Sequence, residues 1–172
     1  MKIAYTMGPG RGDTDQLLFT LAQHLASDGY RTCGTVQINT VCGAHPCDMD
    51  VKVLPDGPVL RISQNLGAGA RGCRLAPATL ETAVGLVETG LEATPELLIV
   101  NKFGKHEADG RGFRSVIAEA IARDMPVLVG VNALNLEAFQ DFVGSEATEL
   151  EPSLEDLVRW LQTVLNKERD VA

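Results

Sequence analysis

The chain predicts an α/β fold: a mostly parallel sheet with helices on both faces and a β-hairpin inserted around residues 48–64. Three observations carry this. Strand-like and helix-like periodicities alternate along the chain. Two apolar runs, Leu97-Leu98-Ile99-Val100 and the stretch 126–131, show no polar alternation, the pattern of strands covered on both faces. A Gly-rich turn joins the first strand to the first helix. At 172 residues the chain can bury about 70% of its unfolded surface in one core, and it shows no repeat, low-complexity tract or linker, so a single domain over 1–172 is expected.

The elements follow in order. Residues 3–6 form a short apolar strand, and residues 15–27 place Leu18, Leu21, Ala22 and Leu25 on one helical face, ending near Asp28-Gly29. Residues 33–38 read as the next strand. Met49, Val51 and Val53 alternate up to a turn at Pro55-Asp56-Gly57-Pro58, and residues 59–63 return, giving the hairpin. After the Gly-rich connection 67–72, Leu80, Val84, Val87 and Leu91 recur at helical spacing over 77–92, with Pro77 in the first turn. Residues 97–100 form a buried strand, with Asn101-Lys102-Phe103-Gly104-Lys105-His106-Glu107 at its C-terminal edge, where open α/β sheets place ligands. Phe113, Val116, Ile117, Ala120 and Ile121 mark another helix, and residues 126–131 another strand. Asn135 is expected to cap a short helix carrying Leu136, Phe139 and Val143. Ser153 with Asp156 resembles a capping box for a last helix whose apolar face is Leu157, Leu161, Val164 and Leu165; Trp160 there serves either the core or a homo-oligomer contact.

Fifteen basic and 23 acidic residues give a net charge of −8, which disfavours nonspecific binding to nucleic acid or anionic membranes. No uncharged run is long enough to span a bilayer, and Met1-Lys2 leads straight into the first strand without a secretory signature, so a cytoplasmic location is expected. The four cysteines then read as reduced thiols or metal ligands. Cys42, His45 and Cys47 lie within one short stretch and Cys73 can complete a fourth ligand, but the spacing matches no standard zinc pattern, and buried or loop thiols with a solvent-facing His45 are the favoured reading.

The segment Met7-Gly8-Pro9-Gly10-Arg11-Gly12-Asp13-Thr14-Asp15 carries the chemistry. A strand, a Gly-rich turn and a helix start converge N–H groups and the helix dipole on an anion, as in the loop that cradles nucleotide phosphates. The lysine of that motif is missing. Asp13 stands in its place and sets a carboxylate where phosphate oxygens need a cation. Two readings stay open: an anion-binding loop using Gly8, Gly10, Arg11, Gly12, Thr14 and the flanking Asp13 and Asp15, or a tight turn in which Asp13 or Asp15 caps the helix. Asp13 and Asp15 can also hold a divalent cation with Glu107. Arg71 and Arg74 bracket a second candidate anion loop, and His106 with Glu107 offers an acid-base pair. His24 lies on the polar side of its helix.

Taken together these segments resemble the small THEP-type P-loop nucleoside-triphosphatases and, more closely, a bacterial family of unknown function related to them. The first pattern is matched by Pro9-Gly10-Arg11-Gly12-Asp13-Thr14, by the hairpin, and by Asn101-Lys102-Phe103-Gly104-Lys105-His106-Glu107. The second is matched by Cys47-Asp48-Met49-Asp50, Arg61-Ile62-Ser63-Gln64 and Gly72-Cys73-Arg74. The resemblance implies a three-layer P-loop NTPase-like fold and, from the family's occurrence beside molybdate-transport genes, a link to oxyanion or molybdenum biology. It also exposes a pattern of departures: Asp13 for lysine, Asn101 for a metal-holding aspartate and Lys102 for the neighbouring acid. The expected function is binding of a nucleotide or small oxyanion, with or without magnesium, and impaired hydrolysis. The alternatives are an NTPase with relocated charges, in which Lys102 serves the phosphates or pairs with Asp13 and Glu107 orients water, and a Cys/His metal-handling protein.

Overall fold

The computed structural model describes residues 1–39, 48–64, 75–144 and 146–169. Among these, seven strands form one sheet: β1 (Ile3–Thr6), β2 (Thr32–Asn39), β3 (Met49–Leu54), β4 (Val59–Arg61), β5 (Leu97–Phe103), β6 (Val127–Val131) and β7 (Thr148–Leu150). Their order is β4-β3-β2-β5-β6-β1-β7. From β2 through β7 the pairing is parallel, and β3 and β4 add an antiparallel hairpin at the other edge, with Lys52 opposite Val59 and Asp50 opposite Arg61. The expected hairpin is thus present, and the Asp50–Arg61 pair closes with an ion pair of 3.0 Å.

Helices cover both faces. α1 (Asp13–Ser27) and α6 (Leu154–Arg169) lie on one side, where Leu18, Leu21, Leu25, Leu157 and Leu161 pack on Ala4, Val36, Ile99 and Leu128. α2 (Pro77–Gly90), α4 (Arg114–Ala122) and α5 (Leu136–Val143) lie on the other, where Val84, Val87, Ile117 and Phe139 pack on Ile3, Tyr5, Leu98, Val100 and Val129. The alternation of β5 residues between the two cores is what a strand buried on both faces requires. Close approach of β2 to β5 depends on Gly34, whose φ is +114° and where a methyl would lie 1.8 Å from the Ile99 carbonyl oxygen.

Several boundaries differ from the sequence reading. α1 begins at Asp13 rather than Asp15, and its N-cap is Gly12 at φ +87°, with no capping side chain, so neither Asp13 nor Asp15 caps the helix. β5 runs on to Phe103, so Asn101 and Lys102 belong to the strand. α2 ends at Gly90 and a 3-10 turn, Leu91–Ala93, follows. β4 stops at Arg61, and Ser63 instead bridges Leu75. Asn135 stands at the N-cap position of α5 as expected, but its side chain makes no capping hydrogen bond; the side chain that accepts is Asn132, which takes the Asn135 N–H at 3.1 Å and caps the preceding 3-10 turn. A short helix α3 (Lys105–Ala108) and strand β7 were not expected, because four and three residues carry too little periodicity to register. Ser153 does accept the Asp156 N–H, at 3.2 Å. Trp160 is partly buried against the α1-side core.

Candidate functional site

The first-strand loop is folded onto its own helix. Gly10 N–H donates to Asp13 Oδ2 at 2.8 Å, and Gly8 N–H donates to Thr14 Oγ1 at 2.7 Å. The left-handed Gly12 turns the chain so that the first two helical side chains reach back over the loop that precedes them. A methyl at Gly8 would sit 2.7 Å from Asp13 Cβ and 2.8 Å from the Thr14 backbone nitrogen, so that position needs glycine for space, whereas one at Gly10 would meet only the Asp13 carboxylate, 2.6 Å from Oδ2. In the eight-residue pattern Gly-x-x-x-x-Gly-Lys-Ser/Thr, Met7 takes the first glycine position and Asp13 the lysine position, so the sequence departs from the pattern at both ends of the loop. Arg11 is exposed on the loop.

Next to the loop, β5 delivers Asn101 to the same face as α1. Asn101 Nδ2 donates to Asp15 Oδ1 at 2.8 Å, Asn101 Oδ1 accepts the Gln37 N–H at 2.9 Å, and Gln37 Nε2 donates to Asp15 Oδ2 at 3.2 Å. Three elements, α1, β5 and β2, are thereby tied through one carboxylate, and Asn101 is 4% exposed. Gln37 escaped the sequence reading because nothing local marks a residue whose partners lie 64 and 22 positions away.

Lys102, the next residue, is exposed and, among the described residues, forms no ion pair with Asp13. Of the expected charge exchange, the direct pairing is not made: Asp13 accepts the Gly10 N–H instead. Nor do Asp13, Asp15 and Glu107 converge on a cation. No group of three or more metal-binding side chains occurs among the described residues, because each of these acids has its own separate partner. Cys42, His45, Cys47, Arg71, Cys73 and Arg74 lie outside the described residues.

Glu107 is 3% exposed and held by backbone on both oxygens: Gly104 N–H reaches Oε2 at 2.9 Å and Phe113 N–H reaches Oε1 at 3.2 Å. Burial pushes its pKa above the ordinary 4.5, against the pull of those N–H groups. The carboxylate fastens α3 to the start of α4, a structural duty carried by both of its oxygens. Its expected acid-base partner is engaged elsewhere. His106 Nε2 lies 2.7 Å from Glu81 Oε1 on α2, and that oxygen also accepts the Gly112 N–H at 3.1 Å. His106 and Glu81 border an open cavity of about 370 Å³ with Pro77, Arg111 and Ser115, on the face opposite α1. His24 sits on the surface, 3.5 Å from Asp28.

Comparison with known proteins places the chain in a family and a fold. A family model described as protein of unknown function (DUF2478) matches residues 3–160. The molybdenum import ATP-binding protein ModC 2 of Bradyrhizobium diazoefficiens is 36% identical over 151 residues, 87% of this chain, while the chain spans only 17% of that relative. The solution structure of a human cancer-related nucleoside triphosphatase superposes with a TM-score of 0.68 at 18% identity, covering 95% of this chain and 98% of the other. The crystal structure of THEP1 from the hyperthermophile Aquifex aeolicus gives 0.64 at 16% identity, with 97% and 98% covered. At those identities the likeness is one of architecture. The fold is that of a P-loop NTPase.

Proposed function

The chain belongs to the family described as protein of unknown function (DUF2478), and from that premise we propose that it is a P-loop-scaffold protein that binds a nucleotide or small oxyanion without hydrolysing nucleoside triphosphates efficiently, in the service of molybdenum import. One observation carries the reading: each group that would drive hydrolysis is absent or committed. Asp13 stands at the lysine position, Asn101 is a neutral donor to Asp15 where an acid would hold metal, and both oxygens of Glu107 are bound to backbone N–H groups. Phosphoryl transfer depends on positioned cations to offset the charge developing on phosphate oxygens, and this site is built with the opposite polarity. What persists is the scaffold: a Gly-rich loop, a helix N-terminus and an exposed Arg11. The link to molybdenum rests on the likeness to a chain named as a molybdenum import ATP-binding protein.

The test pairs binding with turnover. Phosphate release from MgATP and MgGTP is expected to stay at the uncatalysed background, while a thermal-shift screen of nucleotides, phosphate, sulfate, molybdate and tungstate finds a stabilising ligand. A ligand at 100 times its dissociation constant adds about 2.7 kcal/mol, a readily measured shift. Turnover abolished by Lys102→Ala would establish the relocated-charge NTPase instead, and stoichiometric metal lost with the cysteines would establish the metal-handling reading.

A further inference from the structure

We propose that Asp13 is the resident anion of the β1–α1 loop: its tethered carboxylate fills the seat of one compact tetrahedral oxyanion, and the loop accepts a ligand only by expelling it. This rests on the anion-binding reading above and names what governs that site. An amide nest holds an anion by aiming backbone N–H groups at it. Here Gly10 N–H is spent on Asp13 Oδ2 at 2.8 Å and Gly8 N–H on Thr14 Oγ1 at 2.7 Å. The carboxylate lies against the loop backbone: a methyl built at Gly10 would be 2.6 Å from Asp13 Oδ2.

Asp15 does not compete for this role, because its two oxygens are engaged with Asn101 and Gln37. Asp13, by contrast, is exposed and can swing to solvent at little cost. A tethered group competes at an effective concentration in the millimolar range or above, so a free monocarboxylate gains nothing over it. A tetrahedral oxyanion can win, having four oxygens to offer the loop where the carboxylate has two. A triphosphate chain needs a longer seat than one side chain leaves, and it would lie beside the displaced carboxylate without a lysine to offset the repulsion.

A second observation points to an alternative state of the same loop. Thr6 ends β1 immediately before it, is fully buried, and its hydroxyl has no hydrogen-bond partner among the described residues. Thr6 pairs in register with Gly130, where a methyl would lie 2.9 Å from Thr14 Cγ2, so the orphan hydroxyl and Thr14 share one face of the sheet. When Gly8 N–H turns to a ligand, Thr14 is released, and a rotation exchanging its methyl and hydroxyl brings a partner toward Thr6.

The experiment compares the wild-type protein with Asp13→Ala and the near-isosteric Asp13→Asn, titrated with molybdate, inorganic phosphate and MgATP by calorimetry. Circular dichroism checks folding, and Asp13→Asn carries the comparison if Asp13→Ala does not fold. Tighter molybdate or phosphate binding in the Asp13 variants, by about tenfold or more, with a smaller gain for MgATP, is the expected result. Equal affinity in wild type and variants overturns the resident-anion proposal and leaves the anion-binding reading standing. Binding of none of the three probes by any of the proteins overturns both. An equal gain for MgATP overturns the restriction to compact oxyanions.

Discussion

Asn101 is intelligible only together with Asp15. Its amide donates to the Asp15 carboxylate at 2.8 Å and its carbonyl accepts from Gln37 N–H at 2.9 Å, so one side chain must be donor and acceptor at once. An aspartate at 101 could keep the second bond but would face the Asp15 carboxylate without a proton between them, nearly out of reach of water. Asn101→Asp is therefore expected to cost about 2–4 kcal/mol, as a lost hydrogen bond to a charged group plus like-charge repulsion in a buried setting. Asp15→Asn in the same chain should recover a large part of that loss, and the double-mutant cycle by urea denaturation measures the coupling. Additive effects of the two substitutions would show that the pair is not the reason for the asparagine. The neutral donor at 101 is matched to the acid at 15, a dependence between α1 and β5 that neither position reveals by itself.

At the level of elements, Glu107 shows how a motif can be legible while its purpose is not. The stretch from Asn101 to Glu107 ends a buried strand as expected, but its first three residues belong to that strand, and α3 is four residues long with its one acid turned inward. Glu107→Ala leaves the Gly104 and Phe113 N–H groups buried without a partner, which predicts a loss of about 3 kcal/mol in urea denaturation. The pH dependence fixes the role further. Because burial raises the Glu107 pKa above 4.5, the native state holds this proton more tightly than the unfolded chain. Stability linked to Glu107 is then greatest in acid and declines as pH rises from about 4.5 through the raised value, levelling off above it. The Ala variant should lack that slope, so its deficit is largest at the acid end; an unchanged slope would remove Glu107 as its source. What the sequence disclosed was periodicity: long helices, the buried strands and the hairpin. What it hid were contacts with no local signature, such as Glu81 to His106 across 25 residues or Gln37 to Asn101 across 64.

For the whole molecule, the loop's geometry depends on the layer behind it. α1 carries Asp13, Thr14 and Asp15, and it is pressed against the sheet by α6, whose Leu157 is 0% exposed among Leu18, Leu21 and Leu25. No helix among the described residues is long and apolar enough to cross a membrane, and the apolar stripe of α6 is used up on this core, with Trp160 packed beside it. Leu157→Ala is accordingly expected to cost about 3 kcal/mol through lost burial and the cavity left behind. Leu134→Ala, at a side chain 94% exposed, should stay within about 0.5 kcal/mol. If α6 serves the α1 face of its own chain, the Leu157 deficit is the same at any protein concentration. A urea midpoint that falls on dilution would instead assign this helix to contacts between copies, where stability and association are inseparable. Because α1 is the element loosened, the Leu157 variant should also weaken protection of the backbone amides of α1 in hydrogen exchange before the global unfolding limit is reached, as expected when one layer opens ahead of the rest.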